Sequence, residues 1–154
     1  MIDEAEIAYR QYALAVQSIL TDFQFIEESL KMYLGLSFRL IKRRIHKDIP
    51  FSFSRKDVQN LPLRKLISEF KKLNSNNDLG ARLSKLTQVR NRIAHQSFLH
   101  TFKEQKDPKF LDKERERLEK LKTHTKACVY DLVAEITKLD ELDKKGNANG
   151  SRWK

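Results

Sequence analysis

The run Arg90-Asn91-Arg92-Ile93-Ala94-His95 holds the residue types that can cut a phosphodiester without a metal. A histidine can take the proton from a ribose 2′-hydroxyl or give one to the 5′-leaving oxygen. An arginine, charged at every working pH, can grip the phosphate and stabilise the charge that develops on it. Arg-to-His spacing alone is a weak signal in so basic a chain. With four to six residues allowed between the two, Arg39 to His46 and Arg117 to His124, each with six, satisfy it as well. Arg90–His95 is set apart by what fills it. Polar Asn91 follows the arginine and small Ala94 precedes the histidine, where the other two have Leu40 and Leu118, then Ile45 and Thr123.

Helix geometry limits what this run does alone. Five residues turn by about 500°, so Arg90 and His95 point about 140° apart. One straight helix does not bring both to one phosphate. Asn91 and His95, at i and i+4, share a face, and Asn91 can hydrogen-bond the imidazole and fix its tautomer. Two such helices meeting about a twofold axis would bring two Arg/His pairs into one basic cleft. That predicts a homodimer.

The positioning elements read as helices. From Ile7 to Ile45 apolar residues recur in steps of three and four, among them Val16, Ile19, Phe23, Ile26, Leu30, Leu34 and Phe38. The spacing predicts one long helix, or two with a break near Thr21-Asp22 or Gly35, ending before Pro50. Ile49 to Ser54 reads as an extended loop that tucks Phe51 or Phe53 inward, and Ser54-Arg55-Lys56-Asp57 can cap a short turn. Pro62 suits the first turn of a helix to about Leu73, with Leu63, Leu66, Ile67 and Phe70 on one face. Asp78 is the expected N-cap of the helix that carries the hexapeptide. Its apolar stripe is Leu79, Leu83, Leu86, Val89 and Ile93, and its expected end is Gln96. Phe98 to Lys106 reads as a connector. Asp107-Pro108 opens a last helix to about Leu142, and Gly146 to Lys154 reads as a disordered tail. The fold class is therefore all-α, an up-and-down bundle of four to five helices, two of them long, forming one domain over residues 1–145. Only 4 Gly and 3 Pro among 154 residues argue against a β-sandwich.

The net charge is +10 and favours an anionic partner: nucleic acid, a nucleotide or an anionic membrane surface. The excess is local. Residues 1–37 carry a net −4, residues 38–95 a net +11 and residues 96–154 a net +3. The basic segment contains the hexapeptide and reads as an RNA-backbone footprint, with Arg82, Lys85 and Arg92 as the expected RNA-binding residues. The alternating charges of Lys113 to Lys120 read as a solvated face. His46, His100 and His124 lack partners at metal-ligand spacing, and Cys128 is the single cysteine, which supplies no zinc set. No metal and no cofactor are expected. Cys128 reads as a buried, inert thiol. No apolar run reaches the roughly 18 residues of a membrane span, and no secretory leader opens the chain, so the expected setting is soluble and cytoplasmic with no membrane partner.

The Arg-Asn-x-x-Ala-His string on the third helix of a small bundle resembles the signature of the HEPN superfamily. Phe23-x-x-Ile26-Glu27-x-x-Leu30-Lys31 is similar to the acidic helix face that members pack near this motif, and the likeness spans roughly residues 10–140. The resemblance implies a metal-independent endoribonuclease with a composite site at a dimer interface, leaving 2′,3′-cyclic phosphate and 5′-hydroxyl ends. Arg90 and His95 would be catalytic, with Asn91 and Glu27 supporting. Glu27 and Glu28 either pair with Arg90 or face water. The resemblance further implies a toxin or phage-defence role, with an antitoxin or a partner nucleotidyltransferase as regulator. One group of such toxins carries a modifiable tyrosine two positions after the histidine, and Ser97 stands there in this chain. Members that only bind RNA or nucleotide, or scaffold a partner enzyme, are the alternative, and an unrelated basic bundle is a third.

Overall fold

The first helix, α1, forms as a single rod over Glu4–Arg44. It runs through Thr21-Asp22 and Gly35 without a break. Asp3 caps it, accepting from the Ala5 N–H at 3.2 Å. Acids in the first turn and Lys42, Arg43 and Arg44 in the last suit the helix dipole. It stops when Ile45 turns extended, five residues before Pro50. The computed structural model describes Met1, residues 3–103 and residues 107–148.

The chain returns along α1 through Phe51 and Phe53, whose rings cluster with Phe38 at centroid distances of 6.3 and 5.9 Å. Phe51 is the one tucked in, and Phe53 stays exposed. The short α2, Arg55–Val58, opens on the Ser54 N–H donating to the Asp57 carboxylate at 2.7 Å. It sits against Gly35, where an added Cβ would lie 3.2 Å from the Arg55 Cβ. The third helix, α3, spans Leu63–Leu73. Pro62 stands at its cap position, directly before the first turn.

The fourth helix, α4, spans Asn77–Lys103 and the fifth, α5, spans Pro108–Ala148. Three boundaries differ from the sequence reading. Asn76, not Asp78, stands at the entry to α4: its side chain accepts from the Leu79 N–H at 3.0 Å and its carbonyl from the Gly80 N–H at 3.1 Å. Asp78 is the second residue of the helix, in its first turn, and bonds Arg82. The connector expected from Phe98 is helical to Lys103, because no glycine or proline interrupts α4 after Gln96. The tail expected from Gly146 is helical to Ala148; residues 149–154, like 104–106, lie outside the described residues.

The element order, five helices with no strand among the described residues, is the expected all-α bundle. Its two long helices, α1 and α5, run parallel. Gln11 meets Arg115, Asp22 meets Thr125 and Arg43 meets Asp143, each pair roughly 100 positions apart. The core between them is Ile19, Phe23, Ile26, Leu30 and Leu34 of α1 with Leu111, Leu118, Cys128 and Leu132 of α5. Buried Asp22 is satisfied by the Thr125 hydroxyl at 2.9 Å, as a polar group inside a core must be. Tyr33 ties α1 to α3. Its ring lies edge-on to Phe70 at 4.8 Å, its hydroxyl donates to the Leu73 carbonyl at 2.9 Å, and it accepts from Asn74 at 3.0 Å. Burial, despite the Asn74 bond, pushes the Tyr33 hydroxyl pKa up. No described helix is long and apolar enough to cross a membrane.

Candidate functional site

Helix α4 is rotated by what it buries. Leu79 and Leu83 are fully buried, and Leu86 and Ile93 nearly so. At about 100° per residue this puts Asn91 and His95 on the side away from the core. Both are exposed, as are Lys85 and Arg92. Lys85 and Arg92 are one heptad apart and share a flank. The outward arc of α4 is thus Lys85, Asn91, Arg92 and His95, a polar and basic surface.

Arg90 lies on the other side, at the edge of the core. Its guanidinium pairs with Glu27 of α1 at 3.8 Å. This ion pair is partly solvent-exposed, so it contributes at most about 1 kcal/mol; its main effect is to fix where the guanidinium points. Glu28 does not join it. It takes Lys31 at 2.9 Å and Arg55 at 3.3 Å, and the Lys31 hydrogen bond is the main reason its pKa is lowered.

Asn91 does not orient the imidazole as expected. Its side-chain oxygen accepts from Arg90 at 3.4 Å. The adjacent guanidinium is the stronger, charged donor, and His95 has no hydrogen bond among the described contacts. The helix does keep Arg90 and His95 apart, as its periodicity requires.

Arg82 and Lys85 part company. Arg82 reaches across the surface to α5 and clamps α4 to it, bonding Asp78 at 2.8 Å and Asp131 at 2.6 Å. The Asp131 bond is the main cause of its raised pKa. With two carboxylates on it, Arg82 has its charge matched within the chain and holds the helix that carries the hexapeptide. Asp131 is the residue that sequence reasoning missed, since nothing in local spacing marks a partner 49 positions away. Beneath the clamp Cys128 is buried, its pKa pushed up by burial, and its sulfur lies 3.8 Å from Arg82.

His46 and His124 lie far from α4 in sequence, on the α1–α2 connection and on α5, and His100 lies where side chains are not described. Among the described residues no three His, Cys, Asp or Glu groups cluster to hold a metal. Comparison of the chain with protein-family models, with curated proteins and with solved structures gave no match.

Proposed function

We propose that this protein is a metal-independent endoribonuclease of the HEPN type, acting in a toxin or defence role, with a composite site made by two copies of α4. The observation that carries this reading is the split within one helix. Arg90 is steered to one side by Glu27, while His95 stands exposed on the other. Neither finds the other's reach in one chain, and a second α4 across a twofold axis supplies the missing half. Lys85 and Arg92 flank the outward face and would hold the backbone phosphates on either side of the cut.

The chemistry needs no bound metal. His95 of one copy removes the 2′-proton and His95 of the other protonates the 5′-oxygen. Arg90 neutralises the phosphorane charge. Bringing two basic faces together is unfavourable without RNA, so the phosphates themselves hold the two α4 helices in apposition.

The test is cleavage of single-stranded RNA by the purified protein in EDTA, reading end groups. Cleavage yielding 2′,3′-cyclic phosphate is expected, and its loss in both Arg90→Ala and His95→Ala. Cleavage that survives either substitution sinks the reading. A second reading rests on the Arg90–Asn91 bond, which turns the Asn91 oxygen away from His95: a module that binds RNA without cutting it. Salt-dependent binding with no cleavage in any condition selects that one.

A further inference from the structure

The outer face of α1 carries a second apolar stripe that the fold leaves uncovered. Ile7, Leu14, Phe25 and Met32 are 44, 65, 58 and 46% exposed. They lie on the side of α1 away from α4: Phe25 and Glu27 project about 160° apart, and Glu27 pairs with Arg90 of α4. With Gln11, Ser18, Thr21 and Glu28 they form an unbroken three-four heptad seam. Tyr130 and Val133 of α5, also exposed, stand level with Phe25 and Met32 because α1 and α5 run parallel.

This seam is a palindrome. Its steps read four, three, four, three, four, three, four, identical in either direction, and its apolar members sit symmetrically about a point between Ile19 and Leu20. An antiparallel copy laid on it pairs Ile7 with Met32, Leu14 with Phe25 and Ser18 with Thr21, and brings Gln11, which accepts from Arg115 of its own α5, opposite Glu28, which accepts from Lys31 and Arg55. Each pair occurs twice. The small Ser18 and Thr21 fall at the crossing point, where two helices come closest.

Arg10 of one copy comes opposite Glu28 of the other, on the same flank, where each would add to a partner it holds within its own chain: Glu6 for Arg10, Lys31 and Arg55 for Glu28. Beyond Met32 the seam runs into a groove of about 750 Å³ between α2 and α5, floored by Met32, Leu36 and Phe53 and rimmed by Arg39, Lys42 and Arg55. The register delivers the acidic first turn of the other copy, Asp3, Glu4 and Glu6, to that basic rim. At the same rim Asp140 is engaged by Lys144 at 2.9 Å, Arg39 reaches Asp143 at 3.7 Å and Arg55 reaches Glu28 at 3.3 Å, so Lys42 is the rim cation without an ion pair among the described residues.

We propose that a second copy of this chain occupies the outer face of α1, forming an antiparallel, twofold-symmetric dimer along a seam about 38 Å long. Both α4 helices remain exposed on its outer flanks. This interface is separate from any meeting of α4 with α4 and does not depend on it.

The test uses the full chain. Analytical ultracentrifugation should show a dimer in the absence of RNA, and Phe25→Asp should weaken it by roughly thirtyfold or more, as loss of a central anchor does. A circular-dichroism melt confirms that the variant still folds. A mixture of Leu14→Cys and Phe25→Cys proteins should form an intermolecular disulfide on oxidation. Neither alone should do so through the seam. Glu4→Lys with Glu6→Lys should also weaken the dimer, most at low salt. A monomer at 100 µM, which would leave the stripe to some other protein, overturns the proposal. So does a dimer indifferent to Phe25→Asp, or one that crosslinks Leu14→Cys to itself as a parallel pair would. None of these variants touches Arg90 or His95, so the outcome stands apart from the cleavage test.

Discussion

The outward faces of α1 and α4 belong to helices of one bundle, yet they differ in kind. The outer face of α1 carries four large apolar side chains at heptad spacing. That of α4, as far as Gln96, carries none, and offers Lys85, Asn91, Arg92 and His95. Each helix buries one stripe in the shared core, so the fold makes the same demand on both. What is left over on the far side is free to differ, and it marks the partner. An apolar palindrome suits a copy of itself, while an arc of polar and basic groups suits an anion.

The sharpest break of that contrast is a crossed pair of substitutions. His95→Ala should lower EDTA-resistant RNA cleavage by at least about hundredfold and leave the sedimentation of the RNA-free protein unchanged. Phe25→Asp should do the reverse. A single variant that moves both readouts would show that the two faces are one interface.

Next comes the anchor that aims the hexapeptide. Ile93 is 4% exposed and is the apolar residue that holds this part of α4 to the core. Ile93→Ala should cost about 2 to 5 kcal/mol in urea unfolding. It should also loosen RNA binding more than dimerisation. Equal losses would mean that α4 is not a separately anchored element.

Smaller effects are expected for the flanking cations. Lys85→Ala and Arg92→Ala should each reduce the slope of log RNA affinity against log salt by about one. Arg82→Ala should leave that slope alone and lower stability, because its charge is already taken by Asp78 and Asp131. A slope unchanged by Arg92→Ala would remove α4's outer face from the RNA path.

The gentlest probe is alkaline pH. Burial raises the pKa of both Tyr33 and Cys128. Groups raised in the folded state stabilise it fully below their ordinary values, about 8.5 for a thiol and about 10 for a phenol, and lose that stabilisation as pH rises through the folded values. The melting temperature should therefore fall from about pH 8.5 upward. Both groups lie on inner faces, so dimerisation and RNA binding should decline together. A selective loss of one would contradict the shared core.

Much of the fold was legible because each core stripe repeats at helical spacing. Ile19, Phe23, Ile26, Leu30 and Leu34 announced α1, and Leu79, Leu83, Leu86 and Ile93 announced α4. Boundaries were harder. Asn76 and Asp78 are both good caps by type, and only the Asn76 hydrogen bonds to Leu79 and Gly80 decide between them. The hexapeptide was legible as a string, and helix periodicity gave its divided geometry. The Glu27–Arg90 pair was one of two open outcomes. The tertiary partners Asp131 and Asp143 were not readable, since a carboxylate on a distant helix leaves no local mark. The outer stripe of α1 was present in the sequence but masked by the inner one. In a helix apolar on two sides, steps of three and four fit everywhere, and the burial of each residue separates them.

The parallel pairing of α1 and α5 has a consequence for how the chain is made. Contacts such as Asp22 with Thr125 join positions 103 residues apart. Helix α1 thus leaves the ribosome well before the helix that completes its core. At about 5 to 20 residues per second, it waits roughly 5 to 20 seconds with both of its apolar stripes bare. During that interval the chain most in need of a chaperone is the newest one, and the high separation of its contacts should make it fold slowly for an all-helical protein.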